Sequence, residues 1–165
     1  AGHIRLAEDG PVGYGKAGSF EGFCSGGGIA QLGQVMAEEA LDREEIPSFC
    51  QSKGELFKVN ARTIAEAAEK GDPLALKIYD IVADRLGQGL AILVDLLNPE
   101  KIVIGSIFLR QEKLLRTRME KILNKEALEH SLSVVEVVPA GLGEKLGDYA
   151  AVSVGLRAYQ KKQER

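Results

Sequence analysis

The side chains most able to bind a ligand lie in an amino-terminal segment that is unusually rich in glycine. Nine of the nineteen glycines in the chain fall between Gly2 and Gly28. Glycine at this density costs conformational entropy, which indicates either left-handed backbone or close approach of the backbone to a ligand. His3 and Glu21 lie in the same segment, and both side chains can hydrogen-bond sugar hydroxyls. The alternative is a tightly turning loop that binds nothing.

A helix is predicted to begin where the glycine-rich segment ends. Ile29 to Asp42 carries apolar residues at helical spacing, and Ser25 is the predicted N-cap. The three glycines that follow Ser25 bring backbone N–H groups close to whatever lies at the helix start, which suits a phosphate or a sugar. Structural capping alone explains the same residues equally well.

Two further helices are predicted in the middle of the chain. Asn60 caps the first, which runs to Lys70. Asp72 caps the second, with Pro73 at its first position, and this helix runs from Leu74 to Leu97 over about 36 Å.

Two glycines interrupt the apolar surface of this long helix. Gly87 and Gly89 each cost about 1 kcal/mol relative to alanine, so we expect another backbone to pack closely against them. The second half of the helix is apolar almost all round, which gives it more apolar surface than a single domain needs for its own core. We therefore expect a homodimer.

A short strand followed by small residues provides a second place for a ligand. The strand Lys101 to Ile104 leads through Gly105 and Ser106 into a helix, and open α/β sheets bind ligands at the carboxyl ends of their strands. Most such turns are only connections. The remaining predicted elements are a strand from His3 to Ala7, a connector from Arg43 to Lys58, a helix from about Gln111 to Lys125, a strand from Ser133 to Val138 and a last helix to about Lys161.

Composition narrows the class of protein. With 165 residues, 45% of them apolar and 27% charged, the chain suits one soluble domain. Its net charge of −3 provides no excess of positive charge for binding nucleic acid. Cys24 and Cys50 are too few for a disulfide scaffold, and no secretory signal is visible. The longest apolar run, from Leu90 to Leu97, contains Asp95 and is too short to span a membrane. We expect a cytoplasmic protein.

The run Val12-Gly-Tyr-Gly-Lys-Ala-Gly-Ser-Phe-Glu21 resembles the C-x-C-G-x-x-G-C-x-E frame of the ROK family of sugar kinases and sugar-responsive repressors. The glycines and the glutamate are in register, but Val12, Tyr14 and Ser19 stand in place of three zinc-binding cysteines. His3 corresponds to the remaining zinc ligand of the family, and alone it cannot make a four-ligand site. We expect no structural zinc. Apolar packing is expected to hold the loop instead, through Val12, Tyr14, Phe20 and Phe23.

Two later segments resemble the same family in the same order. Asn98 to Ile107 resembles N-P-E-x-I-V-I-G-G-G, the turn that contacts adenosine, with Ser106 in place of its second glycine. Leu146 to Leu156 resembles the carboxy-terminal signature. The resemblance therefore covers essentially the whole chain.

The resemblance implies an α/β fold, namely the carboxy-terminal lobe of an actin-like (ribonuclease H-like) ATPase, with a mixed sheet covered by helices. Residues 1–165 form this single lobe, and the chain opens at Ala1-Gly-His3. A phosphate-binding turn and a catalytic aspartate would belong to an amino-terminal lobe that is absent here. We expect no catalytic residue in this chain and no phosphoryl transfer by it alone.

The resemblance also implies a function, which is the sugar-binding lobe of an ATP-dependent hexose kinase that uses ATP and magnesium. His3 and Glu21 would orient the sugar, and Gly105 and Ser106 would line the adenosine. The alternative is the effector-binding and dimerisation lobe of a transcriptional repressor, and a third possibility is a degenerate lobe that serves mainly for dimerisation. The upstream sequence decides between kinase and repressor, and the identity of the sugar stays open.

The missing cysteines give a direct prediction about metal content. Elemental analysis of the purified protein is expected to show no stoichiometric zinc, because His3 lacks the partners that a tetrahedral site needs. One zinc per chain would contradict it.

Overall fold

A computed structural model describes residues 1–163. The helices alternate with four short strands, which confirms the α/β class. The strands are β1 (Val12–Gly13), β2 (Lys16–Ala17), β3 (Lys101–Ile104) and β4 (Glu136–Pro139), and the helices are α1 (Phe20–Cys24), α2 (Gly26–Asp42), α3 (Ala61–Glu69), α4 (Pro73–Leu97), α5 (Ile107–Glu126), α6 (Glu129–Leu132) and α7 (Leu146–Gln163).

The strands form two separate two-stranded sheets within residues 1–163, where the sequence predicts one mixed sheet. Strands β1 and β2 make an antiparallel hairpin around Tyr14 and Gly15, both at positive φ (48° and 75°), as a tight two-residue turn requires. Strands β3 and β4 are parallel, with Lys101 opposite Glu136 and Ile104 opposite Pro139. The sheets are small, so helix packing provides most of the core.

Helix α4 is the centre of the hydrophobic core. It packs against α1, α2, α3 and α5, and eleven of its 25 residues are buried. The hydroxyl of Tyr79 donates to the Ala61 carbonyl oxygen at 2.9 Å, which ties α4 to the start of α3. The largest fully buried side chains of the described core are Tyr79, Ile29, Ile64, Ile78, Leu115, Met119, Val82 and Val94.

The predicted helix caps in the middle of the chain are confirmed. Asn60 forms a capping box with Thr63 at the start of α3. Asp72 accepts from the Ala75 amide at 2.9 Å and from the Ser48 amide at 2.7 Å, so it caps α4 and also anchors the preceding connector. Burial raises the pKa of the Asp72 carboxyl, but these hydrogen bonds outweigh it and leave the pKa below its usual value.

The close backbone neighbour expected at the two glycines of α4 is present at Gly87, whereas at Gly89 the close neighbour is a side-chain ring. A Cβ at Gly87 would lie 2.6 Å from the Met119 carbonyl oxygen of α5, and one at Gly89 would lie 2.6 Å from the Phe20 ring. Real Cβ atoms do not approach other atoms this closely. Both positions need glycine so that α5 and α1 can pack against the core.

Three local predictions are wrong. His3 to Ala7 is not a strand, because the Leu6 and Ala7 amides both donate to the Gly18 carbonyl and leave Arg5–Ser19 as an isolated bridge. The last strand begins at Glu136 instead of Ser133, since α6 and its turn occupy the preceding residues. The expected helix from about Gln111 begins earlier at Ile107, and the backbone leaves helical geometry at Gln111.

The connector from residue 43 to 58 contains one short 3-10 helix, Lys53–Lys58, and the last helix continues to Gln163. No helix within residues 1–163 combines the length and apolar character needed to cross a bilayer.

The α4–α5 contact gives a stability prediction. Gly87→Ala is expected to lower the free energy of unfolding by about 1–3 kcal/mol, because overpacking outweighs the better helix propensity of alanine. Gly27→Ala is the matched control, since a Cβ there meets nothing within 4 Å. Chemical denaturation measures both variants. Equal stability of the two would contradict the close packing.

Candidate functional site

Glu21 is held in the first turn of the short helix α1. Ser19 is the N-cap, and its hydroxyl oxygen accepts from the Gly22 amide at 3.1 Å. Ser19 is fully buried, and its hydroxyl also donates to the Gly13 carbonyl oxygen at 3.5 Å. The serine at a zinc-ligand position of the family therefore acts here as a buried cap that fixes the start of α1.

The backbone brings the His3 and Glu21 segments together. The Glu21 amide donates to the Gly2 carbonyl and the Phe20 amide donates to the Ile4 carbonyl, each at 2.8 Å, so these two bonds flank His3. A Cβ at Gly2 would lie 3.2 Å from Glu21 Oε2, which places the carboxylate directly beside the residue before His3. His3 is exposed and Glu21 is half-buried. Both predicted sugar contacts thus lie in one surface region and are open to solvent.

Basic side chains tie the ends of the glycine-rich loop to its backbone. Lys16 Nζ donates to the His3 carbonyl oxygen at 2.8 Å. Arg5 Nη1 donates to the Ala17 carbonyl oxygen at 3.0 Å and to the Glu8 carbonyl oxygen at 3.1 Å. The bonds from Lys16 to His3 and from Arg5 to Ala17 join the amino-terminal segment to the β1–β2 hairpin. The bond from Arg5 to Glu8 lies within the segment itself.

A single glutamine of α2 clamps the same hairpin. Gln31 Oε1 accepts from the Val12 amide at 2.9 Å, and Gln31 Nε2 donates to the Val12 carbonyl at 3.1 Å. This pair of bonds satisfies both backbone groups of Val12 and fixes β1 to α2.

Of the four side chains predicted to hold the loop by apolar packing, two do so and two do not. Phe23 is 3% exposed and Phe20 packs against the core, as expected. Tyr14 is 84% exposed and Val12 is 47% exposed, so the expectation is wrong for these two. Tyr14 lies at the tip of the hairpin, where its positive φ directs the chain through the turn and away from the core. Hydrogen bonds replace the predicted apolar contacts.

Metal ligands are scarce around this loop. Within the described part of the chain, no group of three or more His, Cys, Asp or Glu side chains is arranged to hold a metal ion. Desolvation raises the pKa of the Cys24 thiol well above its usual range, and the nearby Glu21 carboxylate raises it further. A protonated thiol is a poor zinc ligand. The expectation of no zinc stays a prediction.

The second predicted site lies where α5 begins. Ser106 is the residue before the helix and has a φ of 55° and a ψ of −120°, in a region that favours glycine. Its side chain makes no capping hydrogen bond, and Gly105 is half-buried behind it. A glycine, as in the turn that this segment resembles, would adopt this backbone without strain.

The starts of α2 and α5 meet. A Cβ at Gly26 would lie 3.4 Å from Ile107 Cδ1, so the first turn of each helix contacts the other. The Ser25 hydroxyl accepts from the Gly28 amide at 3.1 Å, which confirms the predicted cap. The Ser25 amide in turn donates to the Glu21 carbonyl at 3.0 Å. Glu21, the start of α2 and the start of α5 are therefore successive parts of one surface.

A cavity of about 440 Å³ continues this surface beyond Ile107 and separates α3 from the start of α5. Its volume is typical of small-molecule sites, which span roughly 300–1,000 Å³. The lining residues are Ala61, Arg62, Ala65, Glu66, Glu69, Tyr79, Ile107, Arg110 and Gln111. Sequence reasoning missed this cavity because its two walls lie far apart along the chain. The one sequence feature that pointed to it is that one wall, at the start of α5, directly follows Gly105 and Ser106.

Comparison with known proteins identifies the family. The ROK family profile matches residues 1–155. The chain belongs to the ROK family. It is 31% identical over 134 residues to the DNA-binding transcriptional dual regulator NagC of Escherichia coli (strain K12), covering 78% of this chain and 33% of that protein. It is 28% identical over 148 residues to a glucokinase of Streptomyces coelicolor, covering 88% of this chain and 46% of that protein.

Solved ROK structures have the same fold. A ROK family transcriptional regulator, a homologue of the E. coli MLC protein, superposes with a TM-score of 0.66 at 24% identity, over 84% of this chain and 33% of that one. A ROK glucokinase from Streptomyces griseus, in complex with glucose and AMPPNP, superposes with a TM-score of 0.63 at 24% identity. The match covers 87% of this chain and 46% of the glucokinase. The actin-like α/β fold class is thereby confirmed. The ROK chain described here spans about a third to a half of the length of these relatives.

The Gln31 clamp gives a prediction for this ROK loop. Gln31→Leu is expected to speed amide hydrogen exchange at Val12 roughly 3- to 10-fold, as for a hydrogen bond worth about 0.5–1.5 kcal/mol. Gln34→Leu is the control, because Gln34 lies on the same helix and bonds to Val59 instead. Unchanged exchange at Val12 in the first variant would show that other contacts hold the hairpin.

Proposed function

We propose that this chain is the sugar-binding, carboxy-terminal lobe of an ATP-dependent hexose kinase of the ROK family. The observation that carries the proposal is the pair of backbone hydrogen bonds that flank His3 and bring Glu21 beside it. An exposed imidazole and a half-buried carboxylate in one region suit a polyhydroxylated ligand, because they offer both a donor and acceptors to neighbouring hydroxyls. The related Streptomyces griseus glucokinase binds glucose, which supports a hexose.

The same lobe would bind the nucleotide. Gly105 and Ser106 would contact adenosine at the start of α5, and the cavity beside Ile107 has room for the base. That glucokinase is complexed with AMPPNP, which supports ATP as the phosphoryl donor. Magnesium and the catalytic aspartate would be contributed by an amino-terminal lobe. Phosphoryl transfer depends mostly on positioning and charge stabilisation, so this lobe would orient the two substrates.

A second candidate is the effector-binding lobe of a ROK repressor. Its support is Ser106, a non-glycine residue at a positive φ in the nucleotide turn, together with the similarity to NagC. Such a lobe would bind sugar without ATP. Nucleotide binding by the full-length protein therefore separates the two candidates.

The proposal also covers partners and location. The apolar side chains exposed on α7, among them Val152, Val154 and Leu156, support packing against an amino-terminal lobe. Leu96 and Leu97, exposed at the end of α4, support a homodimer through this lobe. We propose a cytoplasmic protein that contacts no nucleic acid through these residues.

Substitution of the carboxylate tests the sugar site. In the full-length protein, Glu21→Ala is expected to raise the Kd for hexose roughly 10- to 100-fold, the cost of losing hydrogen bonds from a charged group. Isothermal titration calorimetry measures the Kd. Glu8→Gln is the control, because Glu8 is an exposed carboxylate of the same loop whose side chain has no part in the proposal. An unchanged Kd in Glu21→Ala would remove Glu21 from the site.

A further inference from the structure

The short helix that carries Glu21 rests on α4 through two aromatic rings. Helix α1 has five residues, too few to form a stable helix without tertiary contacts. The Phe23 ring lies against the Arg85 guanidinium of α4, whose Cζ is 5.1 Å from the ring centroid. The Phe20 ring lies against Gly89 of the same helix. The surface of α4 therefore sets where α1, and with it Glu21, lies in the lobe.

Gly89 is the point where this contact leaves no room for a side chain. A Cβ at Gly89 would lie 2.6 Å from Cε2, 2.7 Å from Cζ and 2.8 Å from Cδ2 of the Phe20 ring. Real Cβ atoms essentially never come closer than 3.0 Å to another atom. The three ring atoms are consecutive, so a shift of the ring tip alone would not clear them. The whole ring must move to admit a methyl group.

Movement of the Phe20 ring would be passed to the backbone that carries the sugar site. The Phe20 amide donates to the Ile4 carbonyl, and the next amide, that of Glu21, donates to the Gly2 carbonyl, each at 2.8 Å. The Phe20 ring packs partly buried against the core, which limits the space into which it could swing. Overpacked side chains shift the backbone to which they are attached. A methyl group on α4 at this point would thus disturb both bonds that flank His3.

Gly87 provides a comparison on another side of α4. Residues two apart in a helix point about 200° apart around its axis. A Cβ at Gly87 would lie 2.6 Å from the Met119 carbonyl oxygen and 2.7 Å from Ile122 Cβ, both on α5. The two glycines are thus equally crowded, but the ring against Gly89 belongs to the helix that carries Glu21. The stability of the fold depends on both glycines, whereas the sugar site depends on one.

We propose that Gly89 is a positioning residue for the sugar site. Its lack of a side chain lets the Phe20 ring lie on α4, and this contact sets the place of Glu21 relative to His3. The inference rests on the proposed sugar-binding function and adds to it a residue of α4, outside the glycine-rich loop, that acts through Phe20.

The test compares the two glycines in the full-length protein. The probe is whichever of glucose, mannose, fructose and N-acetylglucosamine the wild type binds most tightly by calorimetry. Gly89→Ala is expected to raise the Kd for that sugar about tenfold, as for the loss of one hydrogen bond to a charged group. Gly87→Ala is the matched control, because it crowds α5 and is expected to lose a similar amount of stability in chemical denaturation but to keep the wild-type Kd.

A second variant tests the route through the ring. Phe20→Leu removes Cε2 and Cζ, so Gly89→Ala/Phe20→Leu is expected to bind the sugar more tightly than Gly89→Ala. It is also expected to bind at least as tightly as Phe20→Leu alone, because the added methyl group occupies space that the ring has left. The second comparison still decides if Gly89→Ala does not fold.

Three results would overturn the inference and leave the sugar function standing: a wild-type Kd in Gly89→Ala, an equal rise in Gly87→Ala, or weaker binding by the double variant than by Phe20→Leu. An unchanged Kd in Glu21→Ala, or no binding of any of the four sugars by the wild type, would overturn both the inference and the proposed sugar site.

Discussion

Two backbone hydrogen bonds, from Phe20 to Ile4 and from Glu21 to Gly2, hold the amino-terminal segment against α1. The candidate sugar site depends on them, because they bring the backbone of Glu21 against the segment that carries His3. Glycine makes the arrangement possible. A Cβ at Gly18 would overlap the Ala7 carbonyl oxygen, and Gly18 also has a positive φ of 64°. Any side chain at this position would push the segment away from the loop.

Hydrogen bonds hold the glycine-rich loop of this chain. The resemblance implies that other family members hold the same loop with a zinc ion. A zinc site fixes four side chains through one ion, whereas here Lys16, Arg5 and Gln31 each fix a different part of the backbone. The two arrangements are disrupted by different chemical changes. Chelators and oxidants would disrupt a cysteine-bound zinc, whereas this loop is sensitive to the loss of individual amide and amine donors. Ser19 shows the change most clearly, since a buried helix cap stands where a metal ligand would be.

Continuity of the surface links the two ends of the site. From Glu21 the chain passes through the Ser25 cap into α2, and the first turn of α2 contacts Ile107 at the start of α5. The cavity lies directly beyond Ile107. Sugar and nucleotide would therefore lie along one side of the lobe, with two helix starts between them, where backbone amides favour negative charge.

The sequence predicts long helices and their caps well, because capping and helical spacing are local properties. Asn60, Asp72 and the close packing at Gly87 follow from short stretches of residues. The β1–β2 hairpin was missed because it comprises only two residues in each strand and its turn places Tyr14 at a positive φ. The α3–α5 cavity was also missed, since its walls meet only through tertiary packing that no local pattern encodes.

A crystal structure of the full-length protein with a bound hexose would test the central claim most directly. We predict that the His3 ring and the Glu21 carboxylate both lie within about 3 Å of hydroxyl groups on the same sugar, the distance of a hydrogen bond. A sugar bound elsewhere, or one that contacts neither side chain, would contradict the account.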